Sequence, residues 1–145
     1  MMHGVSELII DNKVLKLAGG NCKSCILNYV AECVHCKLFY FGKTVQNLHL
    51  RINGPRRHMK DVINISPEEE DDENCLALHV FSMHSVLDNK GFNESFKFSV
   101  AKLLDNPVLL KGSEQKLINR YRTFKPFGLN VANPMGLKPR LVPRN

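Results

Sequence analysis

The sequence predicts a mainly β fold, a small barrel with one cysteine-rich insertion and a single C-terminal helix. Three observations predict it: short apolar segments bounded by turn residues, two Cys-x-x-Cys pairs close together near the start, and one helical period near the end. At 145 residues the chain suits one domain, long enough to bury about two-thirds of the surface of its unfolded form. Hydrophobic residues make up 43% and charged residues 23%, a balance that excludes wholesale disorder.

Glu7 to Leu17, ELIIDNKVLKL, reads as two extended pieces turning at Asp11-Asn12, because Ile, Val and Leu dominate both flanks. Gly19-Gly20 ends it and lets the backbone enter the first cysteine pair. After the second pair, TVQNLHLRING alternates, with Leu48, Leu50 and Ile52 on one face and Asn47, His49 and Arg51 on the other, the pattern of a half-buried strand. Asn53-Gly54-Pro55 terminates that strand and Arg56, Arg57, His58 and Lys60 follow. Ser66 to Asn74, which holds EEEDDE, reads as a solvated, mobile loop.

Leu76 to Phe81, LALHVF, is read as the next strand, with a short helix or turn after it. Phe96 to Val100, FKFSV, is another, extending toward Leu104. Ser113 offers an N-cap for a helix over Glu114 to Thr123, on which Leu117, Ile118 and Tyr121 share a face. The expected domain spans residues 5–124, and residues 125–145, rich in proline and glycine, form a flexible tail.

Four of the 5 cysteines lie between Cys22 and Cys36. Tetrahedral zinc takes sulfur at about 2.3 Å, and each Cys-x-x-Cys knuckle supplies two thiolates at a suitable bite. Cys22, Cys25, Cys33 and Cys36 therefore form the expected structural Zn2+ site, aided by Lys23, His35 and Lys37. The spacer ILNYVAE is too short to own a core, so metal would substitute for it. A redox dithiol, an iron–sulfur cluster and a disulfide are the alternatives. Cys75 reads as a buried small residue.

The formal net charge is +6, yet six acids sit in the run Glu68 to Glu73, leaving 20 basic against 8 acidic residues elsewhere, a net of +12. Such a body favours polyanions, nucleic acid first. KLFYFGK follows the second knuckle: Phe39, Tyr40 and Phe41 could stack bases for ~1–3 kcal/mol each while Lys37 and Lys43 hold phosphates. Arg51, Arg56, Arg57 and Lys60 extend the expected contact set. The acidic run could compete with nucleic acid for this basic face. No apolar run reaches the ~18 residues that cross a bilayer, so a membrane partner is not expected.

Strand, cysteine pairs, aromatic and alternating strand, in that order, resemble the zinc-ribbon OB-fold at the C-terminus of the replication protein A large subunit and related single-strand binding proteins. CLALHVFSMHSVLDN, FNESFKFSV and the C-terminal helix extend the likeness over Glu7 to Thr123. The resemblance implies an OB-like small barrel with an inserted zinc ribbon, and a nuclear single-stranded DNA-binding subunit of replication, repair or recombination, working with other protein subunits. The alternative is a protein-interaction module in a nuclear complex that does not touch nucleic acid, docking through Leu117, Ile118 and Tyr121 with Leu109 and Leu110. An enzyme is not expected: the 6 histidines show no HExxH spacing, a lone thiol such as Cys75 near His79 and His84 could be read as a nucleophile with a base but arises often by chance, and Ser82, Ser85 and Asp88 add no recognisable arrangement.

Overall fold

A computed structural model describes residues 6–19 and 25–131. Strands β1 (Glu7–Ile10) and β2 (Lys13–Lys16) pair as an antiparallel hairpin. Its turn residues Asp11 and Asn12 take φ of 53° and 61°, the left-handed pair that a two-residue hairpin needs and that Asp and Asn tolerate. A second, three-stranded antiparallel sheet has β3 (Leu27–Cys33) at its centre, between β4 (Phe39–Thr44) and β5 (Phe96–Leu103).

The spacer between the cysteine pairs is thus the central strand rather than a short turn held by metal. Every residue from Leu27 to Ala31 is buried, because β3 has neighbours on both edges and cover on both faces. Such a strand lacks the polar alternation that marks a half-exposed one. Leu27, Tyr29, Ala31 and Cys33 enter one core, while Val30 enters the opposite one.

The first core is closed by α1 (Leu48–Arg51), α2 (Asn53–Arg57), α3 (Cys75–His84) and α4 (Asn89–Ser95), joined by short 3-10 turns. The second is closed by α5 (Leu110–Tyr121) and the hairpin, with Phe41, Ile118 and Tyr121 at its middle. Helices hold 41% of the described residues and strands 26%, with no closed barrel among them, which overturns the expectation of a mainly β, OB-like barrel. The molecule is a layered α and β fold, a small sheet covered on both faces.

Two segments read as strands are helical. Leu48 and Ile52, four apart, both pack on the first core while Leu50 between them is exposed, so the helical spacing prevails. Asn47 caps that helix, accepting from the Leu50 amide at 3.0 Å. In LALHVF the residues Leu76, Ala77 and Val80 are buried with Cys75, a helical stripe that also looks like an apolar strand. The expected β5 and α5 are present, although α5 starts at Leu110. Its Ile118 and Tyr121 are core and Leu117 packs against them, so that face is not a free docking surface.

The acidic run is an ordered turn. Ser66 and Glu69 form a reciprocal capping box, and the Asp71 carboxylate accepts from the amides of Glu73 and Asn74 at 2.8 and 2.9 Å. Residues 125–131 of the expected tail also belong to the fold, and 132–145 lie outside the described residues. The buried Asn130 carboxamide accepts from the Phe41 amide and donates to the Phe41 carbonyl, both at 2.9 Å, so it occupies the edge of β4 as a neighbouring strand would.

Candidate metal centre and a buried polar cluster

β3 carries Cys33 at its end and β4 begins at Phe39, so the turn VHCK presents Cys33 and Cys36 together. Helix α3 packs on the same core and brings His79 and, at its last residue, His84 to that turn. The ligand atoms of Cys33, Cys36, His79 and His84 lie within 4.8 Å of one another, close enough to hold one metal ion. Cys36 Sγ is 3.3 Å from His79 Nε2, which is 3.2 Å from His84 Nε2. Donors about 2.0–2.3 Å from a tetrahedral ion are separated by about this much.

Burial, then the neighbouring His84, lowers His79 to about 4, leaving it in the neutral, ligating form at pH 7. Burial raises the Cys33 thiol, the cost that a bound cation would offset. His35, inside the knuckle, stacks against His84 with ring centres 4.7 Å apart and hydrogen-bonds Ser95 through Nε2 at 3.0 Å.

This set differs from the four cysteines expected. Cys22 lies outside the described residues. Cys25 precedes β3 and Cys33 ends it, so an extended strand of roughly 20 Å separates the two knuckles. Cys25 is exposed and takes no part in the cluster. The sequence signal for the histidines was His-x4-His, a spacing that zinc sites use, read only against the HExxH pattern.

At the other end of the β3–β4 pair sits a second constellation. Tyr29 faces Gly42 in register, and the phenol lies so close to that glycine that any Cβ there would overlap the ring. Beside it are Tyr40, whose ring centre is 6.0 Å away, and Arg51 at the end of α1. Arg51 grips Glu73 with both terminal nitrogens, at 2.7 and 3.2 Å, and the Tyr40 hydroxyl donates to the Asp72 carbonyl at 3.0 Å. On the opposite face of the sheet, Glu114 from α5 reaches Lys43 Nζ at 3.4 Å, near the same edge of β4.

The electrostatics of this cluster are unusual. Burial pushes Tyr29 up to about 12, against the pull of Arg51, and pushes Tyr40 well up too. Burial also raises Glu114, with Lys43 opposing, while Arg51 and Asp72 are near enough to act on its charge. Burial works against the Arg51 charge, but Glu73 more than offsets it and holds the guanidinium protonated. Three buried side-chain atoms among the described residues have no well-aligned hydrogen-bond partner: the Tyr29 hydroxyl, Arg51 Nε and His58 Nε2, although the Tyr29 hydroxyl and the Arg51 side chain are near enough to interact. Two of the three are in this cluster.

Of the expected nucleic-acid contacts, Tyr40 and Phe41 are buried on opposite faces of the sheet and Phe39 packs against the second core, so no stacking platform exists there. An edge strand in a layered fold sends its aromatics into both cores. Lys43 and Arg51 join the polar cluster, whereas Lys37, Arg57 and Lys60 are exposed and apart from it. Arg56 is bound to Asn53 and to Asn93 Oδ1, the latter at 3.0 Å. Sequence reasoning missed Tyr29 and Glu114, which carry no motif spacing and meet only through the sheet and α5. No helix of the described residues is long and apolar enough to cross a membrane. No family model, curated protein or solved structure matches the chain.

Proposed function

We propose that the chain cleaves phosphodiester bonds in nucleic acid at Tyr29 and Arg51, with Glu114 acting from the α5 side of β4 and zinc at Cys33, Cys36, His79 and His84 as a structural ion. The observation that supports this reading is the buried pair of Tyr29 hydroxyl and Arg51 Nε, neither in a well-formed hydrogen bond, with a buried carboxylate of raised pKa across the edge strand and near enough to feel the Arg51 charge. Orphaned polar atoms cost about 1–3 kcal/mol each and are kept where a ligand satisfies them. Perturbed ionisable groups gathered at one spot mark sites of chemistry.

The residue types fit a phosphoryl centre. Arg51 offers a planar fork for phosphate oxygens, and across the edge of β4 Glu114 and Lys43 would add a cation-holding carboxylate and a second positive charge. A divalent cation held by Glu114 and the substrate phosphate would supply charge neutralisation and a more acidic water. Tyr29 keeps its proton at neutral pH, so once substrate opens the buried site it would donate to the attacking water or to a non-bridging oxygen. In the hydrolysis, water oxygen bonds to phosphorus, the bond to the leaving sugar oxygen breaks, and the water's proton passes to that oxygen. The zinc assignment draws on the two-sulfur, two-imidazole donor set, which leaves no open position for catalysis.

Cleavage of labelled single-stranded and duplex oligonucleotides, with magnesium and with EDTA, tests the reading. Magnesium-dependent products that vanish in Arg51→Ala are expected; intact substrate in every arm would defeat it. A second reading keeps single-stranded DNA binding without cleavage, as a replication, repair or recombination subunit, and draws on exposed Lys37, Arg57 and Lys60. Binding that falls steeply with salt, with no product, would favour it.

A further inference from the structure

The acidic turn is more than a neighbour of the polar cluster. Glu73 sets both carboxylate oxygens on the Arg51 fork, at 2.7 and 3.2 Å, the arrangement two oxygens of a phosphate would take. One residue earlier the Asp72 carbonyl takes the Tyr40 hydroxyl, and Glu70 puts both oxygens 2.6 Å from Lys125 Nζ. Each exposed or half-buried cation that this turn touches is thereby neutralised by a carboxylate from a single short segment.

The turn is built to stay in place. Asn74 donates to the Glu69 carbonyl at 3.0 Å and accepts from the Asp71 amide at 2.8 Å, and the Ser66 capping box anchors the upstream end. Yet the turn contributes little to either core: Glu68, Glu69, Asp71 and Asp72 are exposed, and the buried residues resume at Asn74 and Cys75. Its contacts with the cluster are polar ones that a polyanion could replace one for one.

We infer that residues 70–73 are an internal phosphate stand-in, an autoinhibitory segment that a nucleic-acid phosphate must displace from Arg51. The inference rests on the phosphodiester reading of the same cluster. Displacement exchanges one anion on Arg51 for another, so the resting site is held closed against weakly bound or short polyanions and opens to those with enough further phosphates for the basic surface. Glu70 on Lys125 adds a second latch, away from Arg51.

The experiment compares the full chain with Glu73→Gln, Glu70→Gln and Glu68→Gln, titrating a fluorescein-labelled 20-nucleotide DNA in EDTA, so that binding is read without cleavage. Each variant removes one negative charge, but Glu68 makes no ion pair among the described residues. Glu73→Gln should tighten binding about tenfold or more, and Glu70→Gln by a smaller factor that still exceeds that of Glu68→Gln. Equal gains in all three would reduce the effect to net charge and overturn the inference while leaving cleavage intact. Weaker binding by Glu73→Gln would make Glu73 a positioning residue for Arg51 and overturn it likewise. If Glu73→Gln does not fold, as judged by its melting curve, Glu70→Gln against Glu68→Gln decides the matter by the same criterion.

Discussion

Tyr29 and Gly42 are register partners on β3 and β4, and the phenol of one lies against the bare α-carbon of the other. The glycine is what allows a tyrosine to lie flat along this edge of the sheet with its hydroxyl at Arg51. Its backbone φ is ordinary, so the requirement is space alone.

Gly42→Ala should therefore displace Tyr29. Overpacking of this kind costs about 1–3 kcal/mol. Urea denaturation should show that loss, and cleavage should fall with it because the hydroxyl moves.

Tyr29→Phe separates the two effects. The hydroxyl makes no well-formed hydrogen bond, although Arg51 and Tyr40 lie close to it, so removing it should leave stability within about 1 kcal/mol of the parent. Cleavage should drop by about 100-fold or more if the hydroxyl positions the water. A large loss of stability would show that the hydroxyl has a structural partner instead.

Glu114 gives a signed pH dependence. Burial raises its pKa in the folded chain above its ordinary value of 4.5, so the fold binds the proton more tightly than the unfolded chain does. The contribution to stability is fully present below 4.5 and is lost as pH rises through the folded pKa. Glu114→Gln lacks that titration. Its melting temperature should gain on the parent as pH rises from 4.5 toward neutrality, even as cleavage disappears. Parallel profiles would show that Glu114 is not penalised by burial. The pattern expected is that of a group kept for function at a cost to the fold.

Only separate elements of this fold were legible in the sequence. Asp11-Asn12 marked the hairpin turn, FKFSV marked β5, and the spacing of Leu117, Ile118 and Tyr121 marked α5. The errors share a physical origin. β3 is buried on both faces, so ILNYVAEC shows no period of two, and its length was read as a linker between metal knuckles. Leu48, Leu50 and Ile52 fit a strand and a helix alike until packing decides, and Leu76 to Phe81 has the same ambiguity. Half of the candidate metal set was visible as Cys33-x-x-Cys36, but His79 sits 43 residues further on in a segment read as a strand, and His84 lies five residues beyond it, past that strand's expected end. Tyr29 and Arg51 come from two elements that only the topology brings together, and Glu114 reaches the same edge of the sheet from α5 on its other face.

The metal set makes its own prediction. Cys33→Ser should lose bound zinc and destabilise the fold by on the order of 3 kcal/mol or more, while Cys25→Ser keeps one zinc per chain, both read by elemental analysis and thermal melting. Zinc lost equally in both variants would return the four-cysteine arrangement to favour.

The most direct measurement of the central claim is single-turnover cleavage of a 5′-labelled DNA by the full chain and by Glu114→Gln, in magnesium, with both proteins shown to bind the DNA. Product from the first and none from the second at equal occupancy is expected. Bound, uncleaved DNA in both, or cleavage undiminished without the Glu114 carboxylate, would contradict it.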